Sequence, residues 1–131
     1  MSESVRVMLP EEKVNQRIAE LGEEISKEFA GEPVHLICIL KGSVFFTCEL
    51  AKRITVPVTM DFMTVSSYGS GTTSSGNVKI KKDLDEDIAG KNVVVIEDII
   101  DTGRTLACLL EILKERNPKK LKLCTPVSYT H

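Results

Sequence analysis

A chain of 131 residues has room for one domain with a buried core, and 42% apolar with 27% charged residues is the composition of an ordinary globular protein. A formal net charge of −2 without a long basic run argues against nucleic acid or an anionic membrane as the main partner. No apolar stretch reaches the roughly 18–20 residues that span a bilayer, and the opening MSESVRVMLPEEK lacks the apolar core of a signal peptide.

Pro10, Glu11 and Glu12 start a helix: proline suits the first turn, and the acids suit the positive end of the helix dipole. Val14, Ile18, Leu21, Ile25 and Phe29 then form one apolar stripe, closed by Gly31. Val34 to Leu40 is apolar throughout except at His35, as expected of a strand covered on both faces, and His35 reads as a core or semi-buried histidine. After Lys41-Gly42-Ser43 the pattern from Val44 to Ile54 is helical, and Val58 to Val65 reads as a second strand.

Residues 66–76 carry three glycines and seven serine or threonine hydroxyls, too little apolar surface to bury. They are expected to form a flexible loop, and small hydrophilic residues of this kind suit a lid that closes over a site. Val78 to Lys82 alternates as a short strand, Asp83 to Gly90 is a polar connection, and Val93 to Ile96 is a buried strand. Leu106, Leu109, Leu110 and Leu113 mark a helix ending near Asn117-Pro118, and Leu121 to Thr125 begins one more strand. Apolar strands alternating with amphipathic helices predict an α/β fold with a mostly parallel sheet, as a single domain over residues 1–131. Cys38, Cys48, Cys108 and Cys124 lie in apolar elements without a C-x-x-C pair, so buried free thiols and a reduced, cytoplasmic compartment are expected.

The most informative stretch is VVVIEDIIDTGRT, from Val93 to Thr105. A buried strand here delivers two adjacent carboxylates, Glu97 and Asp98, to its carboxyl end, the usual ligand crevice of an α/β sheet. Asp101-Thr102-Gly103-Arg104-Thr105 then turns into a helix whose free N–H groups can hold a phosphate, with Gly103 allowing close backbone approach and Thr102 and Thr105 adding hydroxyls. An ordinary N-cap is the plainer reading of the same turn, since Asp and Thr both cap helices. Carboxylates beside an anion-binding turn suit a divalent cation, a sugar diol, or both. Lys41-Gly42, after the first buried strand, could add a point charge for phosphate or be a plain turn.

Val93 to Thr105 resembles the phosphoribosyl-pyrophosphate motif of type I phosphoribosyltransferases. Together with Leu40-Lys41-Gly42, Ser67-Tyr68-Gly69 and the glycine-rich stretch after them, it resembles the bacterial hypoxanthine-guanine phosphoribosyltransferases through about residue 124. The resemblance implies a twisted, mostly parallel sheet flanked by helices, with a flexible lid. It also implies purine salvage: Mg2+-dependent transfer of phosphoribosyl from phosphoribosyl pyrophosphate to N9 of hypoxanthine or guanine, giving IMP or GMP and pyrophosphate. Carried over by position, Glu97 and Asp98 would contact the ribose hydroxyls and a magnesium ion, and Asp101 would be the general base near purine N7. Asp101, Thr102, Gly103, Arg104 and Thr105 would seat the 5′-phosphate. Lys41 and Gly42 would bind pyrophosphate, with Leu40–Lys41 a candidate cis peptide, and Ser67 and Tyr68 would belong to the lid. Partners are then small molecules rather than nucleic acid or membrane, and a homo-oligomer (dimer or tetramer) is expected.

Relatives continue beyond the position of His131 with the residues that read and stack on the purine, and the tail from Thr125 to His131 contains none of them. A truncated or frame-shifted sequence is the expectation, with the final strands and the base-binding hood missing. Purine recognition should then be poor, Tyr129 should belong to a frayed tail, and the last sheet edge should stand open. Other readings are transfer to another base such as xanthine or uracil, a regulatory module that binds phosphoribosyl pyrophosphate, or an inactive fragment. The absence of a basic face and the presence of Asp101 speak against the module.

Overall fold

A computed structural model describes residues 11–40, 42–67, 78–97, 103–126 and 129–130. In chain order the elements are α1 (Glu11–Glu28), β1 (Val34–Ile39), α2 (Val44–Ala51), β2 (Val58–Ser67), β3 (Val78–Lys82), β4 (Asn92–Ile96), α3 (Gly103–Lys114), β5 (Lys120–Cys124) and β6 (Tyr129–Thr130). They build a six-stranded sheet ordered β3-β2-β1-β4-β5-β6. β2, β1, β4 and β5 run parallel, and β3 and β6 are antiparallel at the two edges.

The parallel core explains the sequence pattern. Every residue of β1 and of β4 is buried, because helices cover both faces of these strands. Val34, Leu36, Val94, Ile96 and Cys124 pack on one face with Ile18, Leu21, Ile25 and Phe29 of the first helical segment and Phe46 and Leu50 of α2. Ile37, Ile39, Met63, Val93 and Val95 pack on the other face with Leu109 and Leu113 of α3. Gly22 of α1 packs closely on the turn that follows α2, where a Cβ would lie 2.9 Å from the Cβ of Arg53.

The predicted elements are all present, with boundaries moved by a few residues. Gly31 takes φ +81° after α1, and Asn117 takes φ 63° after α3 in the left-handed conformation that ends helices, with Pro118 next. Four readings need correction. Val14 is 38% exposed, because the stripe turns out of the core one turn before Ile18. The polar connection after β3 is anchored by Ile88, which is fully buried among the apolar residues of the α3 face. All four cysteines are free, but Cys48 is exposed and Cys108 half-buried, since only one side of each helix meets the sheet. Tyr129 is not in a frayed tail: with Thr130 it forms β6, paired antiparallel to Cys124 and Leu123, so the outer side of β5 is covered there.

Candidate active site at the carboxyl edge of the sheet

Parallel strands bring their carboxyl ends to one edge, and the registers show how level those ends are. Cys38 of β1 sits beside Ile96 of β4, which sits beside Cys124 of β5. Ile39, Glu97 and Thr125 therefore follow at the same height. The backbone leaves β1 toward β2 on one side and β4 lies on the other, so the β1–β4 boundary is where strand order reverses, the usual ligand crevice of such a sheet. β2 is longer. Its Met63 pairs with Ile39, so Ser67 stands four residues, roughly 13 Å, beyond the end of β1 at about 3.3 Å per residue. β2 thus extends past this edge, and β3 pairs antiparallel to its far half, with residues 68–77 joining the two strands in sequence.

Glu97 lies one residue past β4, half-buried, and its N–H still donates to the Cys124 carbonyl at 3.1 Å. That ladder bond holds the carboxylate's backbone in line with the strand. α3 begins at Gly103, and Gly103, Arg104 and Thr105 occupy its first turn, where backbone N–H groups have no partner within the helix. No acidic residue lies in that turn to compete for an anion. Asp98, Asp101, Thr102, Lys41 and Tyr68 lie outside the described residues, as do the proposed cis bond at Lys41 and the lid from Tyr68 to Gly76. The described flanks of these segments at this edge are Leu40, Gly42, Glu97 and the start of α3, with Ser67 further out along β2. No three His, Cys, Asp or Glu side chains gather as a metal cage among the described residues.

Two residues that support this edge were not read from sequence. Ser43 is fully buried at the N-cap of α2, yet its hydroxyl makes no capping bond. It donates instead to the Ile39 carbonyl at 2.6 Å, and the Cys38 thiol lies 3.3 Å from Ser43 Oγ. Asp61 is 3% exposed and accepts the N–H groups of Phe62, Asp85 and Glu86 at 2.8, 2.9 and 3.0 Å. It ties the segment after β3 to the middle of β2, at the root of the hairpin. A lone Asp inside an apolar strand is the signal that could have found it.

The opposite, amino edge holds a groove of about 570 Å3 lined in part by His35, Thr59, Lys91 and Asn92. His35 is 3% exposed, as expected of a core histidine, with Nδ1 at 2.6 Å from the Thr59 hydroxyl. Burial, then the charge of Lys91, holds its imidazole below the ordinary value, against the smaller pull of Asp61 and Glu86.

A family model described as a phosphoribosyl transferase domain matches residues 8–131. A hypoxanthine phosphoribosyltransferase of Buchnera aphidicola is 50% identical over 127 residues, covering 95% of this chain and 72% of that protein. The hypoxanthine-guanine phosphoribosyltransferase of Mycobacterium tuberculosis is 48% identical over 125 residues, covering 91% of this chain and 62% of the relative. A crystal structure of a hypoxanthine-guanine phosphoribosyltransferase from Bacillus anthracis, with HEPES in its active site, superimposes with a TM-score of 0.85 at 44% identity, over 90% of this chain and 70% of that one.

Proposed function

The chain belongs to the phosphoribosyltransferase family, among its hypoxanthine and hypoxanthine-guanine members, and from that premise we propose that it transfers phosphoribosyl from phosphoribosyl pyrophosphate to N9 of hypoxanthine or guanine, in purine salvage. The observation that carries the proposal is the levelled edge: Glu97 beside the ends of β1 and β5, with an acid-free helix start six residues on.

In this reading Glu97 and Asp98 hold the ribose hydroxyls, and the first turn of α3, with Asp101, Thr102, Gly103, Arg104 and Thr105, seats the 5′-phosphate on backbone N–H groups. Lys41 and Gly42 hold the pyrophosphate. As the bond from C1 to pyrophosphate breaks, positive charge develops on the sugar, and carboxylates fixed nearby favour it. Asp101 takes the proton at the purine's N7 side as N9 bonds to C1. Ser67, at the end of β2, and Tyr68 belong to the lid that excludes water.

The donor set fits magnesium: Glu97 and Asp98 offer hard carboxylate oxygens, and Glu97 is half-buried at the crevice. When bound there, Mg2+ would neutralise charge on the leaving pyrophosphate. Four free thiols support a reducing, cytoplasmic setting. Among the described residues no helix is long and apolar enough to cross a membrane.

The test is product formation with phosphoribosyl pyrophosphate and magnesium when hypoxanthine, guanine, xanthine and uracil are each offered. Whatever the absolute rate, IMP and GMP should form fastest, and Asp101→Asn should slow them by about 10²-fold or more. Preference for another base would redirect the proposal. Tight binding of the activated sugar without transfer to any base would favour a regulatory module.

A further inference from the structure

We infer that Ser43 is a positioning residue for the pyrophosphate loop, an inference that rests on the reading of Lys41 and Gly42 as the pyrophosphate seat. Serine before a helix usually turns its hydroxyl forward, to accept an N–H of the first turn. Here it turns back. A hydroxyl has one proton, and the 2.6 Å contact to the Ile39 carbonyl uses it, so the Cys38 thiol donates to Ser43 Oγ across 3.3 Å.

The result is a closed clasp. Ile39, the last residue of β1, and Ser43, the first before α2, are joined through a side chain, and only Leu40, Lys41 and Gly42 lie between them. The base of the clasp cannot drift. Leu40 N–H is bound to the Met63 carbonyl at 2.9 Å, and the Ser43 carbonyl accepts Thr47 N–H at 2.8 Å as the first bond of α2. Ser43 has no exposed surface, so water cannot take over either contact.

The backward turn has a second effect. Because Ser43 makes no side-chain cap, the leading N–H groups of α2 carry no side-chain acceptor from that residue. The same hydroxyl therefore holds Ile39 and Ser43, on either side of the Leu40–Gly42 stretch, at a fixed spacing and is not spent on capping α2. A forward-turned hydroxyl would do neither. Ser43 touches no ligand in this account; it acts through the loop.

Calorimetric titration of the full chain with magnesium pyrophosphate, and separately with ribose 5-phosphate, tests this. Ser43→Ala should weaken pyrophosphate binding about tenfold, the scale of one lost buried hydrogen bond, and leave ribose 5-phosphate binding within about twofold. Ser43→Thr keeps the hydroxyl and should bind pyrophosphate within about threefold of the parent chain. Thermal unfolding of each variant gives the structural cost, which a general loss of folding would spread over both ligands. Equal pyrophosphate affinity in Ser43→Ala and parent overturns the inference. So does a Thr variant as weak as Ala, since space rather than the hydroxyl would then be decisive. A parent that does not bind pyrophosphate, or a Lys41→Ala variant that binds as well as the parent, defeats the underlying seat and the inference with it.

Discussion

Replacing Asp61 by alanine removes a side chain that ties the root of the β2–β3 hairpin through three backbone donors at once. A hydrogen bond to a charged acceptor contributes about 1.5–3 kcal/mol. Three such bonds do not add in full. Phe62 N–H is a neighbour in sequence, and Asp85 and Glu86 are exposed residues whose amides can turn to water once released. Burying the carboxylate at 3% exposure also carries a desolvation cost that its removal recovers in part. The net loss expected for Asp61→Ala is about 3 kcal/mol, or about 12 °C in Tm for a chain of this size. Asp61→Asn keeps one oxygen acceptor but points an amide at a donor, and should cost about half as much. Urea unfolding followed by circular dichroism reads the difference, and amide exchange at Asp85 and Glu86 should quicken more than at residues of β4. An alanine variant within about 0.5 kcal/mol of the parent would refute the reasoning, because desolvation would then cancel the three bonds.

Gly22→Ala should cost about 1–3 kcal/mol by urea unfolding, since the new methyl meets Arg53 Cβ at 2.9 Å and the Arg53 carbonyl at 3.0 Å; an unchanged midpoint would show that the turn at Arg53 gives way freely. His35 is harder to protonate folded than unfolded, so its contribution to stability is full above about pH 6.5 and falls as pH drops toward the lower folded value. His35→Leu should accordingly lose less stability than the parent between pH 7 and 5, and parallel curves would contradict this. Arg116 grips Asp83 through two bonds of 2.8 and 3.0 Å and holds its carboxyl below the usual range, though both side chains are largely solvated. Asp83→Asn should therefore cost only about 0.5 kcal/mol at neutral pH, and the difference should fade as pH falls below about 3.9. Brief alkylation of the native chain should modify Cys48, which is exposed, and spare Cys124, whose buried thiol is pushed up to about 12; peptide mass mapping decides.

The fold was legible because burial on both faces leaves a plain mark. Val34 to Ile39 and Val93 to Ile96 are apolar without a break, and only covered parallel strands need that. Asp98 lies outside the described residues, whereas the position of Glu97 just past the carboxyl end of β4 was legible for the complementary reason, since the apolar run stops at Ile96. Asp61 and Ser43 were not. Their meaning depends on donors 24 residues away and on which way one hydroxyl turns, and local periodicity carries neither. Tyr129 was misread because pairing with β5 is a long-range choice that a polar tail does not announce. Cys48 was misread because an apolar helix as short as α2 has no clear outer face in its pattern.

The most direct measurement is the heat of binding of phosphoribosyl pyrophosphate in the presence of magnesium, for the parent chain and for a Glu97→Ala, Asp98→Ala double variant. Saturable heat at one site per chain, abolished when magnesium is omitted and in the double variant, is the result expected of a ribose seat at the end of β4. No heat from the parent, or unchanged affinity without the two carboxylates, would contradict it.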